Sequence, residues 1–226
     1  MKPQLKLGDA VTPDGGKLSL YSHDGRFSIR LNGQELMHSA TSASESQLGE
    51  LSVARISPKS KSRILIGGLG LGFTLHAVLA KLGHAATVDV VELCSDVVQW
   101  NRTHLLGLNG WRLDDRRVIV RHEDVGLLIA RAPPASFDAI ALDVDNGPAA
   151  MVHRENSRLY DAIGLKAIFS TLRLGGRLAV WSAAPDRKFE QRLTHVGFTV
   201  KRAPAKIHET AHRSATTLYL ADKAER

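Results

Sequence analysis

Two patterns of apolar positions divide the chain. Up to about residue 40 the apolar positions are short and alternate with polar ones. Lys17-Leu18-Ser19-Leu20-Tyr21-Ser22 reads as a strand, and Phe27-Ser28-Ile29-Arg30-Leu31 as a second. Between them His23-Asp24-Gly25-Arg26 supplies the Asp-Gly pair that a tight hairpin needs, and Asn32-Gly33 supplies another after the second strand. The alternation therefore predicts a small antiparallel N-terminal sheet. Residues Thr41 to Ile56 read as a helix, with Ser44 as its candidate cap and Leu48, Leu51 and Ile56 on its apolar side. Pro58 and the Lys- and Ser-rich run to Ser62 read as a linker, which sets the expected boundary between a region 1–57 and a region 58–226.

From Arg63 the pattern changes. Ile64-Leu65-Ile66 is apolar without alternation, as a parallel strand covered on both faces must be. Further strands are expected at Val88–Glu92, Val118–Val120, Asp138–Asp143 and Arg177–Trp181, with helices at Thr74–Leu82, Ser95–Leu105 and Tyr160–Leu172. Alternation of strand and helix implies an open parallel sheet with helices on both faces. The fold class is α/β, a Rossmann fold of the class I S-adenosylmethionine methyltransferase kind with a small N-terminal β subdomain. Ligands of such sheets lie at the carboxyl ends of the strands, so the chemistry is sought there.

Gly67-Gly68-Leu69-Gly70-Leu71-Gly72 follows the first parallel strand. Gly67, Gly68, Gly70 and Gly72 allow a sharp turn and a ligand in contact with bare backbone at a helix N-terminus. A dinucleotide loop would require glycine at position 73, which is Phe73, and this argues against a nicotinamide cofactor. Glu92 ends the second strand, about twenty positions on, where a carboxylate accepts from ribose hydroxyls. Asp124 follows the third strand. There it suits either the adenine amino group of a sulfonium cofactor or the cap of the helix Val125 to Ala130, and the two roles are compatible. Asp143-Val144-Asp145-Asn146-Gly147-Pro148 follows the fourth strand. Asp143 and Asp145 are the candidate catalytic acids, placed to orient an amine and take its proton; capping of the loop by Asp and Asn side chains is the alternative.

Composition narrows the partners. The chain has 226 residues and is 43% hydrophobic, enough for one sizeable core. No apolar stretch reaches the length of a membrane span, and Met1 to Lys6 has no apolar run of a leader, so a soluble cytoplasmic protein is expected. The single cysteine, Cys94, excludes an internal disulfide and paired-cysteine metal sites, and the ten histidines form no metal-binding pair, so no metal is expected. A net charge of +7 would suit phosphates, but the basic residues are dispersed and aromatics are 5%, so nucleic acid is not the expected partner.

The runs Ile64-Leu65-Ile66-Gly67-Gly68, Val90-Val91-Glu92 and Phe137 through Pro148, continued by Leu159-Tyr160 and by Leu172 through Ser182, resemble the spermidine synthase-like family of polyamine aminopropyltransferases. The resemblance implies an N-terminal β region before a Rossmann-like domain. It also implies transfer of an aminopropyl group from decarboxylated S-adenosylmethionine to a small-molecule amine, and by analogy a homodimer. It places Asp143 on the catalytic aspartate, Glu92 on the ribose-binding acid and Asp124 on the adenine-binding acid. The chain departs from the pattern at the loop aspartate, replaced by Leu71 or Gly70. It departs again before the N-terminal glutamate, where Ala43-Ser44 precede Glu45, and in lacking the C-terminal aromatic amine contact. Glu45, Asp143 and Asp145 remain to make the cleft locally acidic. Two alternatives share the nucleoside residues: a methyltransferase using intact S-adenosylmethionine, and a non-catalytic nucleoside-binding homologue.

Overall fold

The computed structural model describes residues 3–144, 158–205 and 216–225. Four strands come first: β1 (Leu5–Val11), β2 (Lys17–His23), β3 (Arg26–Leu31) and β4 (Gln34–His38). They form an antiparallel sheet in sequence order. Both expected turns are present: Asp24 and Gly25 have φ of 50° and 75°, and Asn32 and Gly33 have 50° and 84°, the paired positive φ of a tight hairpin. β1 was not anticipated. Its Gly8 leaves room for Trp100, whose indole nitrogen would lie 2.5 Å from a Cβ there.

Helix α1 (Ala43–Val53) follows. Its cap position is Ser42, which makes no side-chain capping bond, so Ser44 is not the cap. Ser44 is buried inside the first turn and donates to the Glu45 carboxylate at 2.5 Å. Gly49 lets α1 press against the next helix, since a Cβ there would lie 2.5 Å from the Thr74 carbonyl oxygen.

The second sheet contains β5 (Arg63–Gly67), β6 (Thr87–Glu92), β7 (Val118–His122), β8 (Phe137–Leu142), β9 (Leu172–Ser182), β10 (Thr199–Ala205) and β11 (Thr216–Asp222). Its order is β10-β11-β9-β8-β5-β6-β7. β6, β7, β8 and β9 run parallel to their neighbours around β5, while β11 pairs antiparallel with both β9 and β10. The strand order reverses at β5, whose neighbours are β6 and β8, which opens a crevice at its carboxyl end.

The remaining helices are α2 (Phe73–Lys81), α3 (Ser95–Arg102), α4 (Leu106–Asn109), α5 (Val125–Arg131), α6 (Ala162–Thr171) and α7 (Arg187–Val196). One core joins the N-terminal sheet, α1, α2 and α3 to one face of the second sheet through residues such as Leu20, Ile29, Leu48, Ile64 and Val78. The other face carries α5, α6 and α7 over Leu65, Ile140, Leu165 and Phe189. The N-terminal sheet thus closes over the crevice and becomes one of its walls. Among the described residues no helix is long and apolar enough to cross a membrane.

Candidate active site

A cleft with about 1100 Å3 of free space, part of it continuous with solvent, lies between the N-terminal sheet and the carboxyl ends of β5, β6, β7 and β8. Gly68, Gly70, Glu92, Asp124 and Asp143 line it together. Gly67 and Gly72 stand behind that lining. The Gly67 carbonyl accepts from the Asp143 backbone N–H at 2.9 Å. Gly72, with φ of 86°, begins α2, and its missing side chain leaves space for Asn109. Asp145 lies outside the described residues.

The glycine loop is held from several sides. Gly68 has φ of 89°, and a Cβ there would lie 2.2 Å from the Asp143 carbonyl oxygen, so only glycine lets β5 and β8 end side by side. A Cβ on Gly70 would meet the Met37 sulfur at 2.5 Å, which puts β4 directly over the loop. Asn101 and Asn109 donate to the carbonyl oxygens of Gly70 and Leu71 at 2.8 and 2.7 Å.

Glu92 ends β6 with its carboxylate accepting from the backbone N–H groups of Leu69 and Cys94, both at 2.9 Å. Burial raises its pKa against the opposing pull of those bonds. The backbone N–H groups of Gly70 and Leu93 also face the carboxylate, so it is held by the main chain at the edge of the cleft. Asp124 caps α5, its Oδ1 accepting from Leu127 N–H at 2.7 Å, which leaves its other oxygen for the cleft. Glu123 beside it pairs with Arg131.

The most perturbed group is Asp143. Burial, then the negative charge of Glu45, raises its pKa from 3.8 to about 7, while the Thr74 hydroxyl acts in the opposite sense. Glu45 is itself raised by burial. Thr74 Oγ1 lies 3.2 Å from both the Glu45 carbonyl oxygen and Asp143 Oδ2. A hydroxyl has one proton to donate. When Asp143 is protonated it donates to Thr74, which donates to the Glu45 backbone carbonyl; when it ionises, Thr74 turns towards the Asp143 carboxylate. Thr74 thus ties the Asp143 carboxyl to the main chain of α1, the two acids feel each other through their charge, and near neutral pH Asp143 is poised to accept a proton.

Thr74 and Trp181 were not singled out in the sequence, and Glu45 only as a source of acidity. Thr74 carries no local signal, because its role follows from the α1–α2 packing. Trp181 had one: it lies near the end of a parallel strand. Leu142 pairs with Val180, so Asp143 and Trp181 stand side by side one residue on. The Trp181 indole nitrogen is buried without an acceptor in the structure. Among the described residues no group of three or more His, Cys, Asp or Glu side chains is arranged to hold a metal.

No family model matches the chain. Polyamine aminopropyltransferases of Mycobacterium tuberculosis strains CDC 1551 and H37Rv, and of Mycobacterium bovis, are 31% identical to it over 132 residues, 58% of this chain. That stretch is 24% of each relative, so the chain spans about a quarter of the length of the curated relatives it matches. A spermidine synthase in complex with the transition-state analogue AdoDATO superposes with a TM-score of 0.75 at 16% identity, over 97% of this chain and 72% of that one. The spermidine synthase of Thermotoga maritima gives 0.74 at 16%, over 97% and 73%. A probable spermidine synthase of Corynebacterium glutamicum gives 0.67 at 17%, over 97% and 81%. At such identities the structural likeness is one of fold. The chain is thus similar in fold to spermidine synthases and, over the matched stretch, similar in sequence to polyamine aminopropyltransferases.

Proposed function

We propose that the chain is a transferase that binds decarboxylated S-adenosylmethionine and moves its aminopropyl group to a small amine. The observation that carries this reading is the sharing of one cleft by two kinds of acid. Glu92 and Asp124 line the cleft at the ends of β6 and β7, a placement suited to ribose and adenine. Asp143 and Glu45 form a desolvated pair at the end of β8, suited to an ammonium and its proton. Gly68 and Gly70 expose backbone between the two groups.

In this reading the amine nitrogen bonds to the carbon beside the sulfonium, the carbon–sulfur bond breaks, and methylthioadenosine leaves. Asp143 takes the proton that the nitrogen loses. Positioning does most of the remaining work, because the sulfonium already makes the carbon electrophilic. Asp145 is assigned beside Asp143 by its place in the acidic loop alone.

The test compares calorimetric binding of methylthioadenosine and S-adenosylhomocysteine, then follows products formed from decarboxylated S-adenosylmethionine across an amine panel. Preference for methylthioadenosine and its release with an amine are expected. Tighter S-adenosylhomocysteine binding, with methyl transfer from intact S-adenosylmethionine, would replace this reading by a methyltransferase. Binding of neither nucleoside would remove the nucleoside site altogether.

A further inference from the structure

Two buried asparagines stand behind the glycine loop. Asn101 lies near the end of α3 and Asn109 ends α4; both are buried, and neither lines the cleft. Asn101 Nδ2 donates to the carbonyl oxygens of Gly70 at 2.8 Å and Val97 at 2.9 Å. Asn109 Nδ2 donates to the Leu71 carbonyl oxygen and to Asn101 Oδ1, both at 2.7 Å. All four amide protons therefore have acceptors. Turning either amide over would set oxygen against oxygen, so the network fixes both orientations. Gly72 admits the pair: a Cβ there would lie 2.8 Å from Asn109 Nδ2 and 3.1 Å from Asn101 Oδ1. Asparagine is a poor helix former and costly to bury without partners. Neither helix propensity nor apolar packing explains two of them side by side beneath the loop, whereas the loop carbonyls do.

We propose that Asn101 and Asn109 are positioning residues for the nucleoside, holding the glycine loop in its binding form from outside the cleft. The proposal rests on reading the cleft as a nucleoside site. Gly68, Gly70 and Gly72 have φ of 89°, 50° and 86°, and a loop with so many glycines has wide freedom once released. Each peptide is planar and trans, so fixing the carbonyls of Gly70 and Leu71 also fixes the N–H groups of Leu71 and Gly72. The loop is held from its other side as well. The Leu69 N–H donates to Glu92, and the Leu69 carbonyl accepts from the Gly72 N–H at 2.8 Å. A ligand thus meets a loop that is already ordered, and binding carries little of the ordering cost. Without the pair that cost moves to the binding step. The backbone freedom of one residue corresponds to roughly five- to thirtyfold in affinity.

The experiment measures calorimetric binding of methylthioadenosine to the full chain, to Asn109→Ala and to Leu165→Ala. Leu165 is fully buried in the core on the opposite face of the sheet, so its truncation lowers stability without touching the loop. Well below the melting temperature of each, Asn109→Ala is expected to lose at least about fivefold in affinity and Leu165→Ala to keep the parent's value. In the ligand-free proteins, amide hydrogen exchange at Gly70, Leu71 and Gly72, measured against the amides of β5, is expected to quicken in Asn109→Ala alone. Unchanged affinity in Asn109→Ala, or an equal loss in Leu165→Ala, would overturn the proposal. Asn109→Ser, which retains a shorter donor, is expected to lose less and carries the same comparison if the alanine variant does not fold. The two readings fail separately. Quicker loop exchange in the variant, with no methylthioadenosine binding by the parent, would sink the nucleoside reading and uphold the hold of the pair on the loop. Parent binding with unchanged loop exchange in the variant would do the reverse.

Discussion

Asp143→Asn separates what the buried carboxyl does for function from what it does to stability. The folded state raises Asp143 from 3.8 to about 7, through burial and the charge of Glu45. Between those values the folded chain retains a proton that the unfolded chain has released. The native state therefore binds more protons, and the free energy of unfolding falls as pH rises from about 4 to about 7, staying low above that. A rise of that size corresponds to about 4 kcal/mol. Glu45 titrates in the same pocket and is also raised, so that figure is a ceiling, and about 2 to 4 kcal/mol is the expected cost of an ionised Asp143 at pH 8. Asparagine keeps the shape and removes the charge. Its amide donates to Thr74 Oγ1, which can still donate to the Glu45 carbonyl, so no polar group is left without a partner. Urea unfolding at pH 4.5, 6 and 8 measures the effect. The variant is expected to match the parent at pH 4.5 and exceed it by about 2 to 4 kcal/mol at pH 8. Glu45 leaves a reduced slope in place of a flat profile. Transfer activity is expected to disappear, because an amide cannot accept the proton of the amine. A variant less stable than the parent at pH 8, or one with the parent's full pH slope, would refute the reasoning.

Two further substitutions test the nucleoside side. Glu92→Gln replaces two accepting oxygens by one, leaving the backbone N–H of either Leu69 or Cys94 facing an amide NH2. A loss of about 1 to 3 kcal/mol in stability and at least about tenfold in methylthioadenosine affinity is expected by thermal denaturation and calorimetry; undiminished affinity would remove Glu92 from the ribose site. Gly68→Ala forces a Cβ to within 2.2 Å of the Asp143 carbonyl at a φ of 89°. A fall of about 2 to 3 kcal/mol is expected from urea midpoints, and a change within about 0.5 kcal/mol would contradict the close approach of β5 and β8.

Much of the architecture was legible locally. Asp24-Gly25 and Asn32-Gly33 announce their turns because few other pairs tolerate consecutive positive φ, and both turns have it. Ile64-Leu65-Ile66 announces a strand covered on both faces, and all three are fully buried. Glu92 and Asp124 were singled out by the rule that ligands lie at strand ends; both line the cleft, and Asp124 fills the cap role read for it. The misses have physical reasons too. β9 begins at Leu172, earlier than expected, because the sheet absorbs Gly175-Gly176 in an irregular stretch where Phe137 pairs with Leu172 and Ala139 with Arg177. β10 is polar and contains Pro204, which only an edge strand tolerates, and the edge position is a property of the whole sheet. The site divides in the same way. The sequence by itself determined which acids stand at the ends of strands, because strand ends follow from periodicity and turn chemistry. The tertiary structure alone decided that Thr74 of α2 bridges the Glu45 main chain of α1 and the Asp143 carboxyl after β8, and that Trp181 of β9 lines the same cleft. That meeting depends on Gly49 admitting α1 against α2 and on β8 lying between β5 and β9, and close packing between segments distant in the chain leaves no periodic trace in either of them.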